Sequence, residues 1–296
     1  MKSALTILLL RMFAFLPLLV ARKIGECSGS ICWLLNTRMA QTTRTNLALC
    51  FPNLDQKARN TLAQKSLQHT FQTIFEAGAI WLWPAPKTLE LVLAVEGLEL
   101  LQNAKAAGKG VLVLAPHIGN WETLGLYLNT CGCGPTSQLY QALESKSLEA
   151  VIHKARSRSG ARMVATNNKG IAELLRTLRK GEIVAILPDQ VPIASGGEFA
   201  PFFSMPALTM TLLNKLQQKT GAEVVVACAI RDKRNNKSGF DIKFTAPEPG
   251  IYAEHMPDAL VGMNLSIEKV AIKHPEQYQW EYKRFKRQPE GVAKVY

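Results

Sequence analysis

Hydrophobic positions along this 296-residue chain follow three patterns. The first is a nearly continuous block, ALTILLLRMFAFLPLLV over residues 4–20, apolar except for Thr6 and Arg11. The second is a set of short runs bounded by turn residues: VLVLA (111–115), EIVAIL (182–187), AEVVVACAI (222–230) and GFDIKF (239–244). Such runs read as strands, buried on both faces where no polar residue alternates. The third is helical periodicity over 56–83, 97–108, 169–181 and 207–221, the last three each closed by glycine. Strands alternating with helices predict an α/β sheet. No internal repeat or low-complexity linker interrupts the chain after the first block. We therefore expect an N-terminal segment, 1–23, and a single domain over 24–296.

As one helix, residues 4–20 extend roughly 25 Å at ~1.5 Å per residue, just short of a hydrocarbon core. Arg11 would have to snorkel, Pro17 would kink the end, and Arg22 and Lys23 would lie on the cytoplasmic side. No small-x-small cleavage site follows, and Glu26 before Cys27 does not suit a lipoprotein signal. The expectation is an uncleaved membrane anchor, spanning or lying in the interface; a buried helix of the domain is the alternative. The helix end WLWPAP (81–86) fits membrane-facing aromatics and core packing equally well.

The run VLVLA leads into Pro-His-Ile-Gly-Asn-Trp-Glu. Pro116 ends the strand because it offers no amide to the ladder. Asn120 can cap a new helix, with Glu122 in its first turn. His117 and Glu122 then flank a strand-to-helix corner at the C-terminal end of a strand, where α/β sheets bind ligands. On one continuous helix, five residues turn through about 500° and would separate the pair. His117 must therefore sit in the loop if Glu122 is to hold one ring nitrogen while the other takes a proton from a hydroxyl. The plainer alternative is a histidine at a helix start, with Glu122 complementing the dipole.

Charge changes the picture next. The net charge is +12, and residues 146–180 hold nine Lys/Arg against two acidic residues. That surface suits phosphates, anionic lipids, an acidic carrier protein or nucleic acid. No zinc-finger spacing, RNA-binding signature or basic zipper is present, so nucleic acid ranks low. Arg156 and Arg158 could neutralise a phosphate or an oxyanion, or simply lie on a solvated helix face. Asp189 ends the run EIVAIL and points to the same sheet edge as His117; it could be catalytic, orient a cation or make a turn. His69, His153, His255 and His274 lack a partner pattern and read as structural or surface. There is no Gly-x-Ser-x-Gly elbow, P-loop, dinucleotide fingerprint or His/Cys cluster, so neither cofactor nor metal is expected. The six cysteines form no framework and read as reduced thiols.

The chain resembles the late acyltransferases of lipid A biosynthesis, the lauroyl/myristoyl transferases within the lysophospholipid-acyltransferase-like superfamily, whose mark is His-x-x-x-x-Asp/Glu. The stretches that carry this are TRTNLALCFPNL (43–54), VEGLELLQNAKAAGKGVLVLAPHIGNWE (95–122), KARSRSG (154–160), RKGEIVAILPDQ (179–190), FAPFFSMPALTMT (199–211) and HPEQYQWEYKRFKRQPEG (274–291). The resemblance implies a glycerolphosphate-acyltransferase-like fold, a mixed central sheet flanked by helices. It implies a fatty acyl thioester on acyl carrier protein as donor and a hydroxyl of an acyl chain on a lipid A precursor as acceptor. The site would face the cytoplasm at the bacterial inner membrane. His117 would be the general base and Glu122 its partner. Asn120, Arg156, Arg158 and Asp189 would contact substrate or oxyanion, and Arg284, Lys286 and Arg287 a lipid head group. Without the resemblance, those last cations read as a solvated tail. The chain departs from the family where Tyr-Arg-Pro is common, reading Gln141-Ala142 within LYQALESKS, and carries Ile118 for Phe and Ser204 for Gly. Transfer to another membrane lipid, such as an ornithine lipid, a glycolipid or a lysophospholipid, is the alternative, and a non-catalytic scaffold a remoter one.

Overall fold

The computed structural model describes residues 2–142, 145–234 and 237–296. The chain opens with helices α1 (Lys2–Phe15), α2 (Leu18–Leu34), α3 (Arg38–Cys50), α4 (Gln56–Leu82) and α5 (Ala85–Leu89). Then follow β1 (Val92–Glu96), α6 (Leu98–Ala106), β2 (Val111–Leu114), α7 (Trp121–Leu128), β3 (Thr136–Tyr140), α8 (Lys146–Ser157), β4 (Arg162–Ala165), α9 (Asn168–Arg179) and β5 (Ile183–Ile186). The last third holds β6 (Gly197–Phe202), β7 (Met205–Met210), α10 (Leu212–Thr220), β8 (Glu223–Arg234), β9 (Lys237–Thr245) and α11 (Met256–Lys273).

Seven strands form one sheet in the order β1-β9-β8-β2-β5-β3-β4. β8, β2, β5, β3 and β4 run parallel, while β9 pairs antiparallel with β8 and parallel with β1, so the sheet is mixed as expected. β2 and β5 are central and buried along their whole length, which is why they read as unbroken apolar runs. Leu112, Leu114, Val184 and Ile186 face one core, with α9, α10 and α11; Val111, Val113, Ile183 and Ala185 face the other, with α6 and α7.

Two expectations fail. Residues 207–210 are not helical: β7 pairs antiparallel with β6 through a two-residue turn, and the helix starts only at Leu212. The helical period of LLNKLQQK spills over a strand whose partner cannot be read locally. Both turn residues, Phe203 and Ser204, have positive φ, 47° and 66°. A glycine adopts such angles freely, so Ser204 carries a cost that a glycine at this position would avoid.

Nor do residues 4–20 form one helix. The missing amide of Pro17 stops α1, and α2 restarts after it. Among the described residues, no helix is long and apolar enough to cross a membrane. Both helices pack along α4. A Cβ on Gly25 or Gly29 would stand 2.8 or 2.5 Å from the α4 backbone, and one on Gly78 of α4 would stand 2.5 Å from the Leu10 carbonyl. Only glycine permits this approach. Phe13 stacks at 4.5 Å on Phe75, and the Trp83 indole donates to the Ala14 carbonyl at 2.8 Å.

Candidate active site

The corner after β2 is built as its sequence suggests. Asn120 caps α7, its carboxamide oxygen accepting from the Thr123 amide at 3.1 Å. Gly119 has φ +60°, and a Cβ there would lie 2.0 Å from the Ala229 carbonyl of β8. That contact draws the loop against the sheet, where Asn120 N donates to the same carbonyl at 2.8 Å. The segment after α11 closes over the loop: Gly119 N donates to Gln277 O at 3.0 Å and Gln279 N to His117 O at 3.1 Å.

His117 lies in the loop, as required, but the carboxylate on its ring is Asp189. Nδ1 stands 2.7 Å from Asp189 Oδ1, and the His117 amide donates to Oδ2 at 2.8 Å. The His117 side chain is 14% exposed and that of Asp189 2%. Burial alone would raise the Asp189 carboxyl; the electrostatic interaction with the adjacent His117 side chain and the two hydrogen bonds from His117 outweigh burial and hold it below its ordinary value. The Tyr278 phenol is driven well above its usual range by burial and by the Asp189 charge. A charged Asp189 fixes the ring with Nδ1 as donor and leaves Nε2 as acceptor.

Glu122 takes a different partner from the one expected. It receives a bidentate fork from Arg156 of α8, Nε to Oε2 at 3.0 Å and NH2 to Oε1 at 2.5 Å. Burial raises its carboxyl, and the Arg156 charge more than offsets this. The pair lines a cleft with Ile80, Trp81, Gln138 and Arg158.

The other expected site residues divide. Arg158 donates to the carbonyls of Ile80 at 2.6 Å and Trp81 at 3.1 Å, tying down the C-terminal end of α4. Asn120 Nδ2 is also committed, to Glu76 at 2.8 Å. Arg284 is 4% exposed and donates to Leu208 O at 2.6 Å and Thr209 Oγ1 at 2.9 Å, so it faces inward, away from any head group. Lys286 and Arg287 are exposed. Of the family's variant loop, residues 143 and 144 fall outside the described residues, and Gln141 and Ala142 are exposed.

Sequence reasoning missed what lies behind the corner. Glu76 is fully buried and accepts from Arg22 Nε at 2.6 Å, from Arg231 at 2.8–3.1 Å and from Asn120. Arg22 therefore points into the protein, contrary to the cytoplasmic-edge expectation. The one available signal was a lone carboxylate inside an apolar stretch, FEAGAIWL.

Buried parallel strands ending in a hydrogen-bonded histidine and aspartate, with a cationic cleft alongside, put charged and polar groups at the C-terminal edge of the sheet, where α/β folds bind their ligands. A family model for bacterial lipid A biosynthesis acyltransferases matches residues 2–287, and the chain belongs to that family. It is 30% identical over 285 residues to a lipid A biosynthesis palmitoleoyltransferase of Escherichia coli K12, covering 95% of this chain and 90% of that protein. To the lauroyltransferase of the same organism it is 26% identical over 282 residues, with 95% and 90% covered. To its myristoyltransferase it is 24% identical over 254 residues, with 85% and 76% covered. The protein is an acyltransferase of lipid A synthesis.

Proposed function

We propose that this enzyme moves a fatty acyl chain from acyl carrier protein to a hydroxyl of an acyl chain on a lipid A precursor. His117 is the general base. The observation that carries this reading is the 2.7 Å contact of His117 Nδ1 with a buried, charged Asp189 just past the C-terminal ends of β2 and β5. Nε2 takes the proton of the acceptor hydroxyl as its oxygen attacks the thioester carbonyl. The tetrahedral adduct collapses, the C–S bond breaks, and the imidazolium returns the proton to the departing thiolate. The carbonyl oxygen becomes anionic on the way, and the N-terminal end of α7, four residues past His117, supplies polarity of the right sign. The Glu122–Arg156 pair borders the cleft that orients the substrate. No enzyme nucleophile is required.

The basic α8–α9 region suits an acidic carrier protein and a phosphorylated glycolipid. We place the enzyme at the cytoplasmic face of the inner membrane, where that acceptor resides.

The test is a transfer assay with purified protein, acyl-carrier-protein thioesters of several lengths and a tetra-acylated, Kdo-bearing lipid A precursor. A mass gain of one acyl chain, lost in His117→Ala, supports the reading. Consumption of thioester only with other lipids would move the acceptor elsewhere and keep the base.

A further inference from the structure

The outward faces of α1 and α2 invert the usual pattern of a surface helix. In α1 the exposed residues include Leu5, Leu8, Leu9, Met12 and Phe15, a stripe at three- and four-residue steps. In α2 the exposed stripe is Val20, Ile24, Cys27, Ile31 and Leu34. The buried stripe of α2 is instead Leu18, Arg22, Gly25, Gly29 and Cys32. Large apolar side chains thus face outward along both helices, and Phe15 is 88% exposed. Exposed apolar stripes of this kind mark a partner.

The rim identifies the partner. Lys87 lies over the Trp83 ring at 3.9 Å and Arg44 over Trp33 at 3.8 Å. Trp83 is tied to the end of α1, and Trp33 lies near the end of α2. Arg11, Lys23 and Arg38 are exposed along the same elements. In α1 and α2 the described carboxylate is Glu26, already paired with Lys23. Apolar stripes bounded by tryptophan and cations fit an anionic lipid surface. A second copy of this +12 chain would set like charges against one another.

The geometry points to an enzyme held in one leaflet, with α1 and α2 lying in the membrane plane as part of the protein body. A spanning α1 would have to leave α4, undoing the Gly78 contact, the Trp83–Ala14 bond and the Phe13–Phe75 stack. In the in-plane pose these contacts persist. α1 also abuts α8, which carries Arg156, so the catalytic cleft opens beside the lipid. The inference rests on the reading that the acceptor is a membrane lipid.

The experiment uses full-length protein and vesicles of phosphatidylcholine with or without phosphatidylglycerol. Leu8→Cys, Phe15→Cys, Leu19→Cys and Ile31→Cys, in a Cys27→Ser, Cys131→Ser background, carry a fluorophore quenched by lipids brominated at known depths. One shared shallow depth is the expected result. A depth that changes steadily from residue 31 to residue 8 means a spanning segment and overturns the inference, as does absence of quenching. As a second check, Leu8→Glu with Phe15→Glu should lower vesicle binding at least tenfold while leaving the unfolding midpoint and turnover of detergent-dispersed substrates unchanged. Unchanged vesicle binding in that variant overturns the surface assignment. Failure of vesicle binding beside intact transfer in detergent removes this inference alone; binding without transfer removes only the proposed reaction.

Discussion

His117 and Asp189 each stand three residues beyond a directly paired couple, Leu114 and Ile186 on adjacent parallel strands. Equal overhangs from two neighbouring strands bring the side chains to one place. The ring needs no helix turn to find its carboxylate, because the sheet register delivers it.

His117→Ala should lower turnover by roughly 10²-fold or more, the usual scale of a positioned base. Asp189→Asn should cost a similar factor by releasing the ring tautomer. Nitrogen NMR of the labelled ring reads this directly: Asp189→Asn should shift the Nδ1 and Nε2 signals. Unshifted signals would remove Asp189 from the orienting role.

Glu122 and Arg156 should behave as a unit apart from the ring. A double-mutant cycle on stability with Glu122→Gln and Arg156→Gln should give a coupling of ~1 kcal/mol. The His117 ring signals should stay near their wild-type positions in Glu122→Gln. A large ring shift there, with additive stability effects, would return Glu122 to the partner role assumed from spacing.

How much of this was legible differs residue by residue. The corner itself could be read: a buried run, a proline stop, a cap and an acidic first turn are all local signals. Asp189 could be placed at the sheet edge for the same reason. Its pairing with His117 could not, because β2 and β5 are 72 residues apart at their last paired positions, Leu114 and Ile186, and adjacency is a property of the sheet. Basic side chains were least legible. Arg158 and Arg284 sit in runs that resemble solvated faces, yet they turn inward to backbone carbonyls, while Lys286 and Arg287 beside them stay in water. Composition does not reveal which cation in a run meets a carbonyl.

That contrast is measurable. Arg284→Ala should destabilise the fold by about 2–3 kcal/mol, since it strips buried acceptors of a charged donor. Lys286→Ala and Arg287→Ala should stay within about 0.5 kcal/mol. Chemical denaturation of the three variants separates inward from outward cations.

Backbone angles give two opposite signs. Ser204→Gly should stabilise by about 1 kcal/mol, relieving a left-handed residue in the β6–β7 turn. Gly119→Ala should cost more than about 3 kcal/mol, because both its φ and the Ala229 carbonyl exclude a methyl group. Thermal unfolding reads both.

Acid should undo the cluster behind the corner. Burial would raise Glu76, but the charges of Arg231 and Arg22 outweigh it and lower its pKa from 4.5 to about 2. Its folded value is thus depressed, so its contribution is complete above about pH 4.5 and is lost as pH falls toward 2. Urea midpoints should drop across that window, and Glu76→Gln should flatten the drop while lowering stability at neutral pH.

The glycines of α2 carry a consequence for the history of such a chain. Because Gly25 and Gly29 bring α2 onto α4, Arg22 reaches the carboxylate that also holds Asn120 at the corner after β2. The segment that meets the surroundings and the segment that balances charge behind the site are the same piece of backbone. A lineage that shed its first helices would leave Glu76 with Arg231 as its one guanidinium partner, so the packing of α2 and the support behind the corner are inherited together.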